Sequence, residues 1–126
     1  MLVKEAIINK NSVVKILDGN IIYIKYADNV ELSEEDIEDV NQAFKNLGCD
    51  ENYKTLSEFH KYSTLSTEAR HYAEKIKPKV KASAFILHSL SQRILLRFYH
   101  KFQRNKNVTR VFNNYEDALA WLRSLD

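Results

Sequence analysis

The sequence predicts an α/β protein with a mixed sheet of four to five strands and about four helices. Three observations predict it: a hairpin pattern near the start, a continuous apolar run at 84–87, and strand and helix patterns that alternate from the hairpin to the end. Such alternation is typical of parallel strands joined by crossover helices. Because the strands of a hairpin are antiparallel, the predicted sheet is mixed.

The hairpin comes first along the chain. Val13–Leu17 and Ile21–Tyr26 are rich in β-branched and aromatic residues, and they flank Asp-Gly-Asn at 18–20. Asp-Gly tolerates the positive φ angles of a tight hairpin turn, which predicts two antiparallel strands. Residues 4–9 add a possible short edge strand.

The first helix is predicted to begin after Ser33, whose hydroxyl can cap free amides, and to end at Gly48. Glu34, Glu35 and Asp36 suit the positive end of the helix dipole. An apolar stripe at helical spacing follows, formed by Ile37, Val40, Ala43 and Phe44.

The second half alternates regularly. Ser66 or Thr64 can cap a helix over Thr67–Ile76, which ends before Pro78. The last helix is predicted from a capping box of Asn113 and Glu116. The full predicted order after the first helix is strand 53–59, helix 67–76, strand 80–87, helix 90–103, strand 108–112 and a closing helix.

Size and composition limit the class of protein. The 126 residues fit one domain over 1–126. The first residues lack the apolar core of a signal peptide, no apolar run is long enough to span a bilayer, and the single Cys49 has no disulfide partner. The expected location is therefore the reducing cytoplasm.

Charge is unevenly distributed along the chain. Residues 1–63 contain 7 basic and 12 acidic residues, a net −5, whereas residues 64–126 contain 12 basic and 5 acidic residues, a net +7. This asymmetry fits two differently charged faces, an anionic partner, or head-to-tail association of copies. With an overall charge of +2 and no base-reading motif, a nucleic-acid partner is not expected.

The helix predicted over 90–103 is basic and amphipathic. Helical spacing places Arg93, Arg97, His100 and Arg104 in one stripe opposite an apolar side. This stripe is interpreted as a solvated face, a docking surface for an acidic protein, or an attachment to an anionic membrane surface. Ser89 and Ser91, in the turn before this helix, can cap it or hold a small anion.

Catalytic and metal-binding patterns are weak. The four histidines lack metal-ligand spacing, no glycine-rich phosphate loop is present, and no partner that would activate Cys49 is evident. No cofactor, metal or catalytic residue is therefore predicted. Aromatic residues such as Tyr26, Phe112 and Trp121 could line an apolar-ligand cavity, although a chain of this size needs most of its rings for the core.

From about Val13 onward the chain resembles the SpoIIAA-like group of STAS-related domains, particularly small bacterial proteins of that group. The resemblance rests on three blocks: Ser-Thr-Glu-Ala-Arg at 66–70, Val-Lys-Ala-Ser-Ala at 80–84 with Ser89 after it, and Thr-Arg-Val-Phe at 109–112 with Glu-Asp-Ala-Leu-Ala-Trp-Leu at 116–122. It implies a SpoIIAA-like mixed sheet with packed helices, of the STAS and CRAL-TRIO type.

The resemblance implies a regulatory binding module rather than an enzyme. In some STAS domains a serine near the start of the second helix is phosphorylated, and Ser63, Ser66 and Thr67 lie in the corresponding region, without the Asp-Ser-Ser-Gly signature. In related sequences the strand before this region often ends in an aspartate and a basic residue. This chain has Glu58 and His60 at the approximate positions, and the two could form a polar pair.

These patterns together predict a non-catalytic regulatory or protein-binding module. The alternative is a small apolar-ligand or lipid-binding protein that approaches anionic membranes, and the third possibility is an uncharacterised enzyme. The expected partner is a protein, with homo-oligomers left open.

Overall fold

The computed structural model describes residues 6–76, 79–88 and 108–125. Within these ranges the chain forms eight strands and three helices. In order they are β1 (Ala6–Ile8), β2 (Ser12–Leu17), β3 (Ile21–Tyr26), β4 (Glu31–Leu32), α1 (Glu34–Asn46), β5 (Lys54–Glu58), β6 (Thr64–Leu65), α2 (Thr67–Ile76), β7 (Ala82–Ile86), β8 (Val108–Phe112) and α3 (Tyr115–Ser124). The helix predicted over 90–103 lies outside the described residues.

The main sheet is mixed, as predicted, but it has six strands rather than four to five. Its order is β1-β2-β3-β5-β7-β8, with β1, β2 and β3 antiparallel and the remaining pairs parallel. The sixth strand is β1, the short edge strand that the sequence offered at 4–9. It adds to the hairpin because Ile7 pairs with Val14 and packs against the core.

A second, two-stranded sheet was not predicted. β4 and β6 pair in parallel, with Glu31 opposite Thr64 and Leu32 opposite Leu65. Strands of two residues are too short to show a period in the sequence. Both leucines are buried, so this small sheet closes one end of the core.

The two central strands, β5 and β7, are covered on both faces. Every residue of β7 is buried, and so are Lys54–Ser57 of β5. On one face α1 and α2 pack over Ile22, Ile24 and Phe85. On the other face, called the α3 face here, α3 packs over the buried side chains Ile21, Leu56, Ala82, Ala84 and Ile86.

Side chains that the sequence singled out cap the helices. Ser33 and Asp36 form a capping box: Ser33 Oγ accepts from the Asp36 amide at 3.2 Å, and the Ser33 amide donates to Asp36 Oδ2 at 2.9 Å. At the other end of α1, Gly48 has a φ of 75° and the Cys49 amide reaches the Phe44 carbonyl at 3.0 Å, which closes a Schellman motif.

The cap of α3 corrects the sequence prediction by one residue. Asn114, not Asn113, is the N-cap, and its Oδ1 accepts from the Asp117 amide at 2.8 Å. The reason is that the helix begins at Tyr115, so the first free amides within reach are those of Glu116 and Asp117.

Lys54 is a buried cation at the end of α3. Its side chain is only 1% exposed, and its Nζ donates to the Leu122 carbonyl at 2.8 Å. A positive charge at a helix C-terminus is stabilised by the helix dipole, and the ammonium satisfies a carbonyl of the last turn. Lys54 therefore joins the centre of the sheet to the closing helix.

Replacement of Lys54 tests this contact between β5 and α3. Lys54→Ala removes both a buried stem and a donor, so the free energy of unfolding should fall by about 2–4 kcal/mol. Lys54→Met keeps the stem and should lose about 1–2 kcal/mol. Urea unfolding followed by circular dichroism measures both, with the exposed Lys15→Ala as control, expected within about 0.5 kcal/mol of wild type. Equal stability of Lys54→Ala and Lys15→Ala would contradict the assignment.

Candidate functional site

Three loops meet at the end of the sheet where β3 and β5 finish. They are residues 9–11, 27–30 and 59–63, called the end platform here. The Ala27 amide donates to the Asn11 carbonyl at 2.9 Å, and the Thr64 amide donates to the Val30 carbonyl at 3.0 Å. Carboxyl ends of parallel strands are where α/β proteins commonly carry binding groups.

Side-chain bonds fix the platform from within. Asn11 Nδ2 donates to Asp36 Oδ1 at 3.0 Å, so the loop at 9–11 is tied to the capping box of α1. Ser63 Oγ donates to the Ala27 carbonyl, which ties the loop at 59–63 to the loop at 27–30. Each loop is therefore held by a neighbouring element.

Tyr62 projects from this fixed base. Its side chain is 64% exposed, and Lys61 Nζ lies 5.5 Å from its ring centroid. The Ser63 amide donates to the His60 carbonyl at 3.1 Å, so Lys61 and Tyr62 occupy the tip of a closed turn. Tyr62 is not among the residues that the sequence patterns predict to be functional. The sequence signal that could have identified it is a tyrosine between two polar loop residues, Lys61 and Ser63.

The predicted phosphorylation candidates have different environments. Ser63 is buried and hydrogen-bonded. Ser66 caps α2, with its Oγ accepting from the Ala69 amide at 3.0 Å, as predicted. Thr67 is the exposed first residue of α2. Of the three hydroxyls, that of Thr67 is the one on an exposed residue without a capping role.

A second polar group lies on the α3 face, at the same end of the sheet. Glu58, the last residue of β5, accepts a hydrogen bond from the Tyr23 hydroxyl at 2.5 Å through Oε1. Its Oε2 lies 3.3 Å from His88 Nε2, just beyond β7. Tyr23 also packs edge-on against Tyr115 of α3, with ring centroids 5.2 Å apart.

The sequence pattern suggests His60 as the partner of Glu58 and does not indicate Tyr23 or His88. Strand register explains them. Tyr23 and Glu58 lie on the same face of neighbouring parallel strands, and His88 continues the alternation of Ala84 and Ile86 on that face. This register is set by the tertiary structure.

Burial raises the pKa of the Tyr23 hydroxyl, and the hydrogen bond to Glu58 and the charge of that carboxylate raise it further. All three effects disfavour tyrosinate. Tyr23 therefore stays a hydrogen-bond donor to Glu58 at neutral pH.

Cys49 is a poor candidate for a reactive thiol. It packs against the core beside α1, and burial, with a smaller effect from the charge of Asp50, raises its pKa to about 11. The thiolate is the nucleophilic form, so little of it exists near neutral pH.

The predicted basic stripe of Arg93, Arg97, His100 and Arg104, and the turn residues Ser89 and Ser91, lie outside the described residues. Over the described ranges, no three His, Cys, Asp or Glu side chains are grouped to hold a metal ion. Within those same ranges no helix is both long and apolar enough to cross a bilayer.

A family model, described as a domain of unknown function (DUF7793), matches residues 14–126. The chain belongs to the DUF7793 family. A search of curated proteins found no match to this DUF7793 domain.

The DUF7793 domain is also similar to a solved structure. This is the crystal structure of an uncharacterized protein of the DUF3478 family with a SpoIIAA-like fold, from Shewanella loihica PV-4. The two share 19% identity over 92% of this chain and 98% of that chain, with a TM-score of 0.65. The predicted SpoIIAA-like fold is thus confirmed for the DUF7793 domain.

Thiol reactivity tests the environment of Cys49. With a pKa of about 11 the thiol should react with iodoacetamide at pH 8 about 100-fold more slowly than an unperturbed cysteine. The rate should rise to that of a free cysteine in denaturing urea. Rapid alkylation of the folded protein would show that the thiolate is stabilised instead.

Alkaline pH tests the Tyr23–Glu58 bond. Since the folded pKa of Tyr23 is raised, its contribution to stability is complete below the unfolded value of about 10 and is lost as the pH rises above it. Wild-type protein should therefore lose more stability between pH 8 and alkaline pH than Tyr23→Phe does. Urea midpoints at each pH measure this. The exposed Tyr62→Phe should follow wild type, and a Tyr23→Phe curve that also does so would refute the assignment.

Proposed function

We propose that this DUF7793 domain is a non-catalytic regulatory or protein-binding module that docks a protein partner on the end platform. The observation that carries the proposal is Tyr62, a large aromatic side chain 64% exposed at the tip of a loop whose base is fixed. Tyrosine is enriched among the residues that dominate binding energy at protein interfaces.

The rigidity of the platform supports this role. Binding is weakened by the entropy lost when loops become ordered, and a loop that is already held in place avoids most of that loss. Here the loop at 59–63 is bonded to Ala27, and the neighbouring loop at 9–11 is bonded through Asn11 to Asp36. The backbone that carries Tyr62 is therefore held in place before a partner arrives.

The chemistry of the tip favours a particular partner surface. Lys61 lies over the Tyr62 ring, so the tip combines an aromatic face with a positive charge. Its complement is an apolar pocket with an acidic rim on another protein. The basic stripe of Arg93, Arg97, His100 and Arg104 is proposed as a second surface of the same sign.

The non-catalytic part of the proposal rests on the state of the nucleophiles. The pKa of Cys49 is raised to about 11, Ser63 donates its hydroxyl proton to a carbonyl, and Ser66 caps α2. None of these three is prepared as an activated nucleophile.

Ring packing favours this proposal over an apolar-ligand or lipid carrier that approaches anionic membranes. Tyr26 and Phe59 stack with centroids 4.6 Å apart, and Phe112 and Trp121 are 5.7 Å apart. These rings contact one another, which is the arrangement of core residues rather than of cavity walls. A cytoplasmic location is proposed with the binding role, because the lone Cys49 suits a reducing compartment.

Docking is tested by placing a photo-crosslinking amino acid at position 62 of the full chain and exposing this variant to cell extract. A second variant, with the same amino acid at position 108, is the control. Val108 is 54% exposed on the edge strand β8, so it is a matched exposed apolar site. The partner crosslinked at 62 is then purified, and its affinity is measured by calorimetry with the wild-type domain and with Tyr62→Ala.

Tyr62→Ala should weaken binding at least tenfold, as expected for a residue that dominates an interface, with no change in thermal stability. The control Val108→Ala should bind like wild type. A partner that binds Tyr62→Ala with wild-type affinity would overturn the proposed surface. Crosslinking only between copies of this chain would replace a protein partner with self-association.

A further inference from the structure

The side chains Glu58 and His88 lie together on the α3 face, and the proposed docking role does not use them. Glu58 ends β5 and His88 follows β7, the adjacent parallel strand. We infer that these two residues form a binding site for a divalent cation of the zinc class, with Glu58 Oε2 and His88 Nε2 as its protein ligands. Carboxylate oxygen and imidazole nitrogen are both zinc ligands.

The distance between the two ligand atoms suits a shared zinc ion. Glu58 Oε2 and His88 Nε2 are 3.3 Å apart. Two zinc ligands at ordinary bond lengths and a tetrahedral angle are also about 3.3 Å apart. A charge-assisted hydrogen bond between nitrogen and a carboxylate is shorter, about 2.7–2.9 Å. At 3.3 Å the pair makes a hydrogen bond that is longer than usual, and the same separation fits two ligands of one ion.

Tyr23 supplies the outer support that metal-binding carboxylates usually have. Its hydroxyl donates to Glu58 Oε1 at 2.5 Å, which orients the carboxylate and leaves Oε2 directed to His88. The ring of Tyr23 is held in turn by Tyr115. Outer-shell hydrogen bonds of this kind commonly contribute 10–100-fold to metal affinity.

The site is open to solvent and to incoming ions. The Glu58 side chain is 16% exposed and that of His88 is 34% exposed. Within the described ranges no third His, Cys, Asp or Glu joins them, so water would have to complete the coordination shell of a bound ion. A site with two protein ligands binds zinc more weakly than a closed structural site, which has four.

One neighbouring charge disfavours a bound cation, and it predicts the direction in which a substitution should change the zinc affinity. Lys25 is the register partner of Glu58 on β3, on the same face of the sheet. Its ammonium repels a metal ion near Glu58. Removing that charge should strengthen zinc binding, whereas removing a charge elsewhere should not.

Binding also fixes the protonation of His88. Zinc requires the lone pair of Nε2, so the bound imidazole is neutral with its proton on Nδ1. No covalent step or redox change is involved.

The experiment is calorimetric titration of the untagged full chain with zinc chloride. One site per chain is expected. His88→Ala and Glu58→Gln should each lower the affinity at least tenfold, Tyr23→Phe by about tenfold, and Lys25→Gln should raise it. Cobalt bound at the same site should give the intense visible absorption of a tetrahedral ion, and this band should be lost in His88→Ala.

The controls are His71→Ala, a histidine on α2, and Cys49→Ser. Both should bind zinc like wild type, and thermal melts in chelator establish that every variant is folded. Glu58→Gln retains the size of the side chain and an oxygen for Tyr23, so it is the variant least disturbed structurally. Wild-type affinity in both His88→Ala and Glu58→Gln, or loss of the site in either control, would overturn the inference, as would no binding at millimolar zinc. None of these results bears on the Tyr62 surface, so the two proposals fail independently.

Discussion

β3, β5 and β7 pair in parallel, and the burial of β5 and β7 on both faces determines where the helices and the polar side chains can lie. β5 and β7 carry helices on both sides, so their buried polar side chains need partners within the protein. Thr55 Oγ1 donates to Ser83 Oγ at 3.0 Å, and Lys54 reaches the end of α3. Small residues at Ala82 and Ala84 let α3 lie close to the sheet. Because β5 and β7 are buried on both faces, their side chains meet solvent at the ends of these strands.

Both proposed sites follow from that restriction. The end platform is formed where β3 and β5 leave the sheet, and the Glu58–His88 pair is formed where β5 and β7 do. The two sites differ in chemistry because they use different features of the same end. Tyr62 stands on a loop and offers an aromatic surface, whereas Glu58 and His88 remain on the sheet face and converge at one point.

Much of the fold could be predicted because its signals are local. The hairpin turn, the Ser33 cap and the end of α1 at Gly48 each depend on residues close in the chain, and all three are confirmed. The pairing of β4 with β6 could not be predicted, because each strand has two residues and the two strands are distant in the chain. The partners of Glu58 could not be predicted for a related reason. His88, for example, is 30 residues away and is brought near only by strand register.

Native-state hydrogen exchange measures how strongly the amides of these buried strands are protected. If β5 and β7 form the doubly covered centre, the amides of Lys54–Glu58 and Ala82–Ile86 should exchange only through global unfolding, with the highest protection in the chain. The edge amides of β1 and β8 should open at lower free energy. Faster exchange in β5 or β7 than in the edge strands would contradict the account of the sheet and of both sites at its end.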